Sequence, residues 1–153
     1  VNSAAILMQD EEITALADSL IEIHTSVVST RGLSLGDSMS QEKMNMISGR
    51  LESAIRAAFD KHFGEPPSAL FPDVFSQIAH FSLLLAKDHI FADGNKRTTM
   101  IACFSLLKEC NITIDALDSP SSQENEVYRQ IQRLVADESS ETEFAEFLRS
   151  HAR

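Results

Sequence analysis

Apolar residues along this chain recur mostly at three- and four-residue steps, the spacing of a buried helical face. Ile13, Leu16, Leu20, Ile23 and Val27 make the first such stripe. Asp10 stands at its head as an N-cap and Arg31-Gly32 at its foot as a stop, which predicts a helix over 11–29. A second stripe, Met44, Ile47, Leu51, Ile55, Ala58 and Phe59, follows Ser38 and Gln41 at capping-box spacing and precedes Gly64, which suits a left-handed exit. Between the two, residues 30–41 hold Gly32, Gly36 and several Ser, while Leu33 and Leu35 alternate with polar neighbours. That alternation predicts an exposed strand or flap.

Beyond Glu65-Pro66-Pro67, Pro72 suits a first helical position. Val74, Phe75, Ile78, Phe81, Leu84 and Leu85 then cover so broad an arc that this helix, ending near Asp88, is expected at the centre of the fold. A polar interruption from His89 to Asn95 separates it from another apolar helix with Met100, Ile101, Cys103, Phe104, Leu106 and Leu107, closed by Asn111. Ile112, Ile114 and Leu117 suit a short extended stretch. Ser121 with Glu124, and Ser140 with Glu143, open two last helices over 122–137 and 141–151. No strand-helix-strand rhythm and no internal repeat occur. The expected fold is therefore all-α, a compact helical bundle in one domain over 1–153 with room for one small β flap.

Composition narrows the partners. Lys plus Arg number 13 against 23 Asp plus Glu, a net charge of −10. A field of that sign repels phosphate polymers and anionic lipid headgroups, so neither nucleic acid nor a membrane surface is an expected partner. Cys103 and Cys110 lie two helical turns apart, too far for a bridge within a helix, and read as reduced core residues. No apolar run reaches the 18 or so residues of a membrane span, and Val1–Met8 lacks a basic leader, so the expected location is the cytoplasm. His24, His62, His80 and His151 show no metal-ligand spacing and are assigned to packing or surface.

The chemistry concentrates in the polar joint, His89-Ile90-Phe91-Ala92-Asp93-Gly94-Asn95-Lys96-Arg97. Such a density of functional side chains between two apolar helices is costly to bury without a purpose. The unpaired N–H groups and positive dipole end of the second helix meet two cationic side chains there, which makes an anion site. Gly94 lets an oxygen approach the main chain, Asn95 can cap the helix, and Lys96 and Arg97 can grip phosphate. Asp93 would repel a polyphosphate unless Mg²⁺ sat between them. His89 can accept a hydroxyl proton near neutrality, a role worth about 10²–10⁴ in rate. Phe91 is expected to turn inward and fix the loop. Taken singly, His89 reads more readily as a helix C-terminal histidine pairing with the dipole, and Asp93, Lys96 and Arg97 more readily as a solvated cap cluster. Together, at fixed spacing, they read as a site.

At these residues the chain resembles the Fic/Doc superfamily, whose loop runs His-x-Phe-x-Asp/Glu-Gly/Ala-Asn-x-Arg between two central helices. His24, the Gly-containing segment after it and Leu117-Asp118-Ser119-Pro120 are similar to features of Doc-type, death-on-curing toxins. The resemblance implies a helical enzyme that uses ATP or another nucleoside triphosphate with Mg²⁺ to modify a hydroxyl of a target protein. It implies His89 as base, Asp93 as metal ligand, and Gly94, Asn95, Lys96 and Arg97 as phosphate cradle. It also places a target-docking flap at Leu33, Ser34, Leu35 and Gly36, aligning a strand by main-chain pairing.

Lys96 departs from the Gly usual in AMP-transferring members and resembles Doc-type kinases, which implies terminal-phosphate transfer to Ser or Thr of a translation factor, such as an elongation factor. Gly94, where Doc has Ala, is the AMP-transferase letter, so AMP transfer is the second reading. A catalytically silent module that binds nucleotide or a partner is the third. The inhibitory pattern Ser/Thr-x-x-x-Glu-Gly/Asn of many relatives has no proper copy: Glu124-Asn125 is preceded at the required place by Pro120. Restraint is therefore expected from a separate antitoxin.

Overall fold

Six α-helices and one 3₁₀ turn follow one another among the residues described by the computed structural model, which are 3–30, 40–116, 121 and 124–153. The helices are α1 (Asp10–Thr30), α2 (Gln41–Phe59), α3 (Val74–Lys87), α4 (Asn95–Glu109), α5 (Glu126–Val135) and α6 (Glu141–Ser150). The expected all-α bundle is what forms. The flap residues Leu33, Ser34, Leu35 and Gly36, with Leu117–Pro120, lie outside the described residues.

The periodic stripes become the core. Ile13 and Leu20 of α1, Leu51, Ile55 and Phe59 of α2, Ile78, Phe81 and Leu85 of α3 and Leu107 of α4 are essentially sealed from solvent. Each such side chain contributes about 1.5–3 kcal/mol relative to exposure. As its wide apolar arc requires, α3 is the hub and packs against α2, α4, α5 and α6, while α1 packs on α2 and α4. Gln77, buried in α3, pins the N-terminal segment by accepting from the Ile6 N–H at 2.7 Å and donating to the carbonyls of Ile6 and Ala58 at 2.6 and 2.9 Å. Cys103 lies in the core beside Ser82 at 2.8 Å, and burial pushes its thiol up to about 12, which leaves it inert.

Several helix ends fall elsewhere than the sequence predicts. Ser40, not Ser38, caps α2, accepting from Lys43 N–H at 3.1 Å. Gly64 is no helix exit: α2 stops at Asp60, and Gly64 (φ 79°) with Phe63 (φ 53°) turns the chain tightly between His62 and Glu65. Asp73 rather than the Pro72 region opens α3, its carboxylate accepting from Ser76 N–H at 2.9 Å. Asn125, not Ser121, caps α5. For α2 and α5 a nearby side chain with an equally suitable acceptor takes the role of the expected cap. Ser140 caps α6 as predicted, and Asn111 adopts the left-handed φ of 60° that closes α4. The short extended stretch also forms, as a single bridge from Ile114 to Ala152 flanked by paired Thr113 and Arg153.

Candidate active site

The end of α3 and the start of α4 are both forced by their local sequence, and the site lies between them. Asp88 is the last residue to bond back into α3. His89 then turns left-handed (φ 50°), a conformation disfavoured for a side chain with a β-carbon, and stands exposed. Ile90 and Phe91 dive back into the core at 5% and 3% exposure. Ala92 and Asp93 are exposed, and Gly94 takes a second left-handed turn (φ 79°) as the N-cap of α4. A β-carbon on Gly94 would sit 3.3 Å from Val27 Cγ1 and 3.5 Å from the His24 ring.

Two helices hold this loop from outside it. From α1, His24 is nearly buried, its ring stacked on Phe91 with centroids 3.8 Å apart and planes 6° from parallel. Its Nε2 donates to the Asp93 carbonyl at 2.7 Å. Burial holds the imidazole below its ordinary value, against the upward pull of the Asp93 carbonyl and carboxylate. From α2, Arg50 donates to the carbonyls of Asp88 and His89. Arg50 belongs to no motif, whereas His24 is among the residues that resemble Doc-type toxins, although its spacing assigns it only to packing or surface. His24 does carry a signal, since it occupies the apolar stripe between Leu20 and Val27 where an aliphatic residue is expected.

Asn95 differs from its expected role as cap. It is the first residue of α4 and is buried, and its side chain is spent on Phe91: Oδ1 accepts from the Phe91 N–H at 3.1 Å and Nδ2 donates to the Phe91 carbonyl at 2.9 Å. The Asn95 side chain therefore braces the loop. The first intrahelical bond of α4 runs from Thr98 N–H to the Gly94 carbonyl at 3.0 Å, so the N–H groups of 95–97 have no acceptor within the helix.

These groups surround a cleft of about 210 Å³. Its lining is drawn from the end of α3 and the loop (Ala86, His89, Asp93, Gly94), from the start of α4 (Asn95, Lys96, Arg97) and from Tyr128 and Val135 of α5. The two α5 residues escape a motif search because they border, rather than belong to, the buried face of Val127, Ile131 and Leu134. The Arg97 Nε atom is buried with no hydrogen-bond partner among the described residues. An orphaned guanidinium donor beside a free helix start fits an anionic ligand that would complete both. One Asp93 oxygen accepts from the Gly94 N–H at 2.7 Å. Among the described residues no cluster of three or more His, Cys, Asp or Glu could hold a metal by itself. That donor set fits Mg²⁺ only as a shared ion, one carboxylate from the protein and the remainder from substrate phosphates and water.

The Fic/DOC family model matches residues 12–107, from early α1 to the end of the buried part of α4. Comparison with curated proteins finds no match. No described helix is long and apolar enough to cross a membrane.

Proposed function

The chain belongs to the Fic/DOC family of enzymes that use a nucleoside triphosphate to modify proteins, and on that footing we propose that it transfers the terminal phosphate to a Ser or Thr hydroxyl of a target protein. The observation that carries the reading is that His89, Lys96 and Arg97 line one cleft, and that the Arg97 Nε donor is buried without a partner among the described residues. Lys96 puts a second cation on the cleft where AMP-transferring relatives have glycine, and a cation there favours the extra negative charge of a terminal phosphate.

In this reading the triphosphate lies along the start of α4, with its oxygens on the N–H groups of 95–97, Lys96 and Arg97. Asp93 would hold Mg²⁺, which when bound offsets phosphate charge and makes the phosphorus more electrophilic. His89 takes the proton from the target hydroxyl. The hydroxyl oxygen bonds to the γ-phosphorus as the β–γ bridging P–O bond breaks, leaving a phosphoprotein and the nucleoside diphosphate. Positioning and charge supply most of the rate, as is general for phosphoryl transfer. The target is a translation factor and restraint comes from an antitoxin, both by family likeness.

AMP transfer is the second reading because Gly94 is the letter of that class. The local packing offers a separate reason for glycine: the left-handed φ and the nearness of Val27 and His24 favour it whichever phosphorus is attacked. Incubating the protein, or His89→Ala, with γ-labelled ATP, Mg²⁺ and a cell lysate tests the proposal. Protein-bound label that His89→Ala abolishes supports it. Label that comes only from the α-position supports AMP transfer, and no label from either position supports the silent module.

A further inference from the structure

Arg50 projects from α2 to the end of α3 and places both terminal nitrogens on main-chain oxygens. Nη1 donates to the His89 carbonyl at 3.2 Å, and Nη2 donates to the Asp88 carbonyl. Those oxygens belong to the negative end of the α3 dipole, where a guanidinium is favoured. The chain alternates at this point. His89 lines the cleft, whereas Asp88 and Ile90 line a second hollow on which Arg50, Ser53 and Leu84 also open. One strip of main chain thus divides the two spaces, and Arg50 grips it from behind. The strip carries His89 in a left-handed conformation that a residue with a β-carbon leaves readily unless its surroundings hold it.

We propose that Arg50 is a positioning residue: its two-pronged hold on the Asp88 and His89 carbonyls keeps His89 left-handed and so keeps the imidazole on the cleft. The inference rests on His89 as the base. A fork is needed because the two carbonyls must be held in fixed relation, and a lysine ammonium offers no rigid pair of donors. If Arg50 served only as a helix cap, its loss would lower stability and leave turnover alone.

The test uses the full chain with Arg50→Ala, Arg50→Gln and Arg50→Lys, and reads four quantities: melting temperature, ATP affinity by calorimetry, kcat with KM on the labelled target, and the His89 backbone ¹³C shifts. Arg50→Ala is expected to stay folded and to bind ATP within about threefold of wild type, because Arg50 is not among the residues that line the cleft. Its kcat should drop about 10- to 100-fold, the scale of a small misplacement of a catalytic group. The His89 shifts should lose their left-handed signature, and Arg50→Lys should recover part of both. Added to His89→Ala, Arg50→Ala should cost nothing further.

Unchanged kcat and His89 shifts in a folded Arg50→Ala would overturn the proposal, as would an equal loss in the His89→Ala background. If Arg50→Ala does not fold, Arg50→Gln and Arg50→Lys carry the same comparison. If wild type modifies no protein, the functional reading fails separately, and the His89 shifts still decide whether Arg50 sets the backbone.

Discussion

His24 donates its Nε2 proton to the Asp93 carbonyl at 2.7 Å, so the loop bearing the candidate metal ligand hangs from a helix 69 residues earlier in the chain. The stack on Phe91 makes the same histidine part of the core. A site loop held by a buried donor and a buried ring keeps its shape without a ligand, which is the preorganisation phosphate transfer needs.

His24→Ala removes the donor and leaves a carbonyl unpaired, and is expected to destabilise the fold by about 1–3 kcal/mol. A denaturant titration reads this directly, and a loss under about 0.5 kcal/mol would show that the contact holds nothing.

The same residue sets a pH dependence. Burial keeps folded His24 below its ordinary value of about 6.5, so the unfolded chain takes up the proton first as pH falls. The contribution of His24 to stability is complete above about pH 6.5 and is lost as pH falls through the lower folded value. The melting-temperature gap between wild type and His24→Gln should therefore narrow from about pH 7.5 to about pH 5. A gap that widens in acid would reverse the sign.

Gly94→Ala places a β-carbon in a left-handed turn against Val27. The expected cost is about 1–2 kcal/mol. Val27→Ala should relieve the steric part, so a double-mutant cycle is expected to show coupling. Strict additivity would place the whole cost in the backbone angle.

Arg97 and Asn95 should separate cleanly. Arg97→Ala loses a donor that has no partner among the described residues, so triphosphate affinity should fall about 10- to 100-fold with no loss of melting temperature. Asn95→Ala strips two bonds from buried Phe91 and should cost about 1–3 kcal/mol of stability. Reversed effects would assign the cradle to Asn95 and the bracing to Arg97.

The bundle was readable because its stripes are long and regular: Ile13, Leu20 and Val27, Ile47, Leu51, Ile55 and Phe59, and Val74, Ile78, Phe81 and Leu85 are buried as the three- and four-residue steps predict. Leu16, Ile23, Met44 and Leu84 of the same stripes are half-buried, and small or polar residues such as Ala17, His24, Gln77 and Ser82 fill the core beside them. Helix starts were less so, because Ser38 and Ser40, or Ser121 and Asn125, offer equivalent acceptors and only tertiary packing chooses between them. The cleft's loop is contiguous in sequence, and its nine residues could be read as a unit. Arg50, Tyr128 and Val135 come from other helices and meet it only after folding, so no local pattern reports them. Asn95 shows the opposite limit. A residue type favoured at caps stands one position inside the helix and bonds to Phe91 instead.

Lys96 faces the cleft, and its replacement by glycine should remove terminal-phosphate transfer while leaving the fold intact. Protein labelling from γ-labelled ATP that is undiminished in Lys96→Gly would detach Lys96 from the choice of phosphorus.

The by-product of the reaction bears most directly on the central claim. Purified protein, ATP, Mg²⁺ and the labelled target are combined and the nucleotide products separated by chromatography. Terminal-phosphate transfer through His89 predicts ADP equal in amount to modified target, with none from His89→Ala. Pyrophosphate in that amount, with AMP on the target, would contradict it.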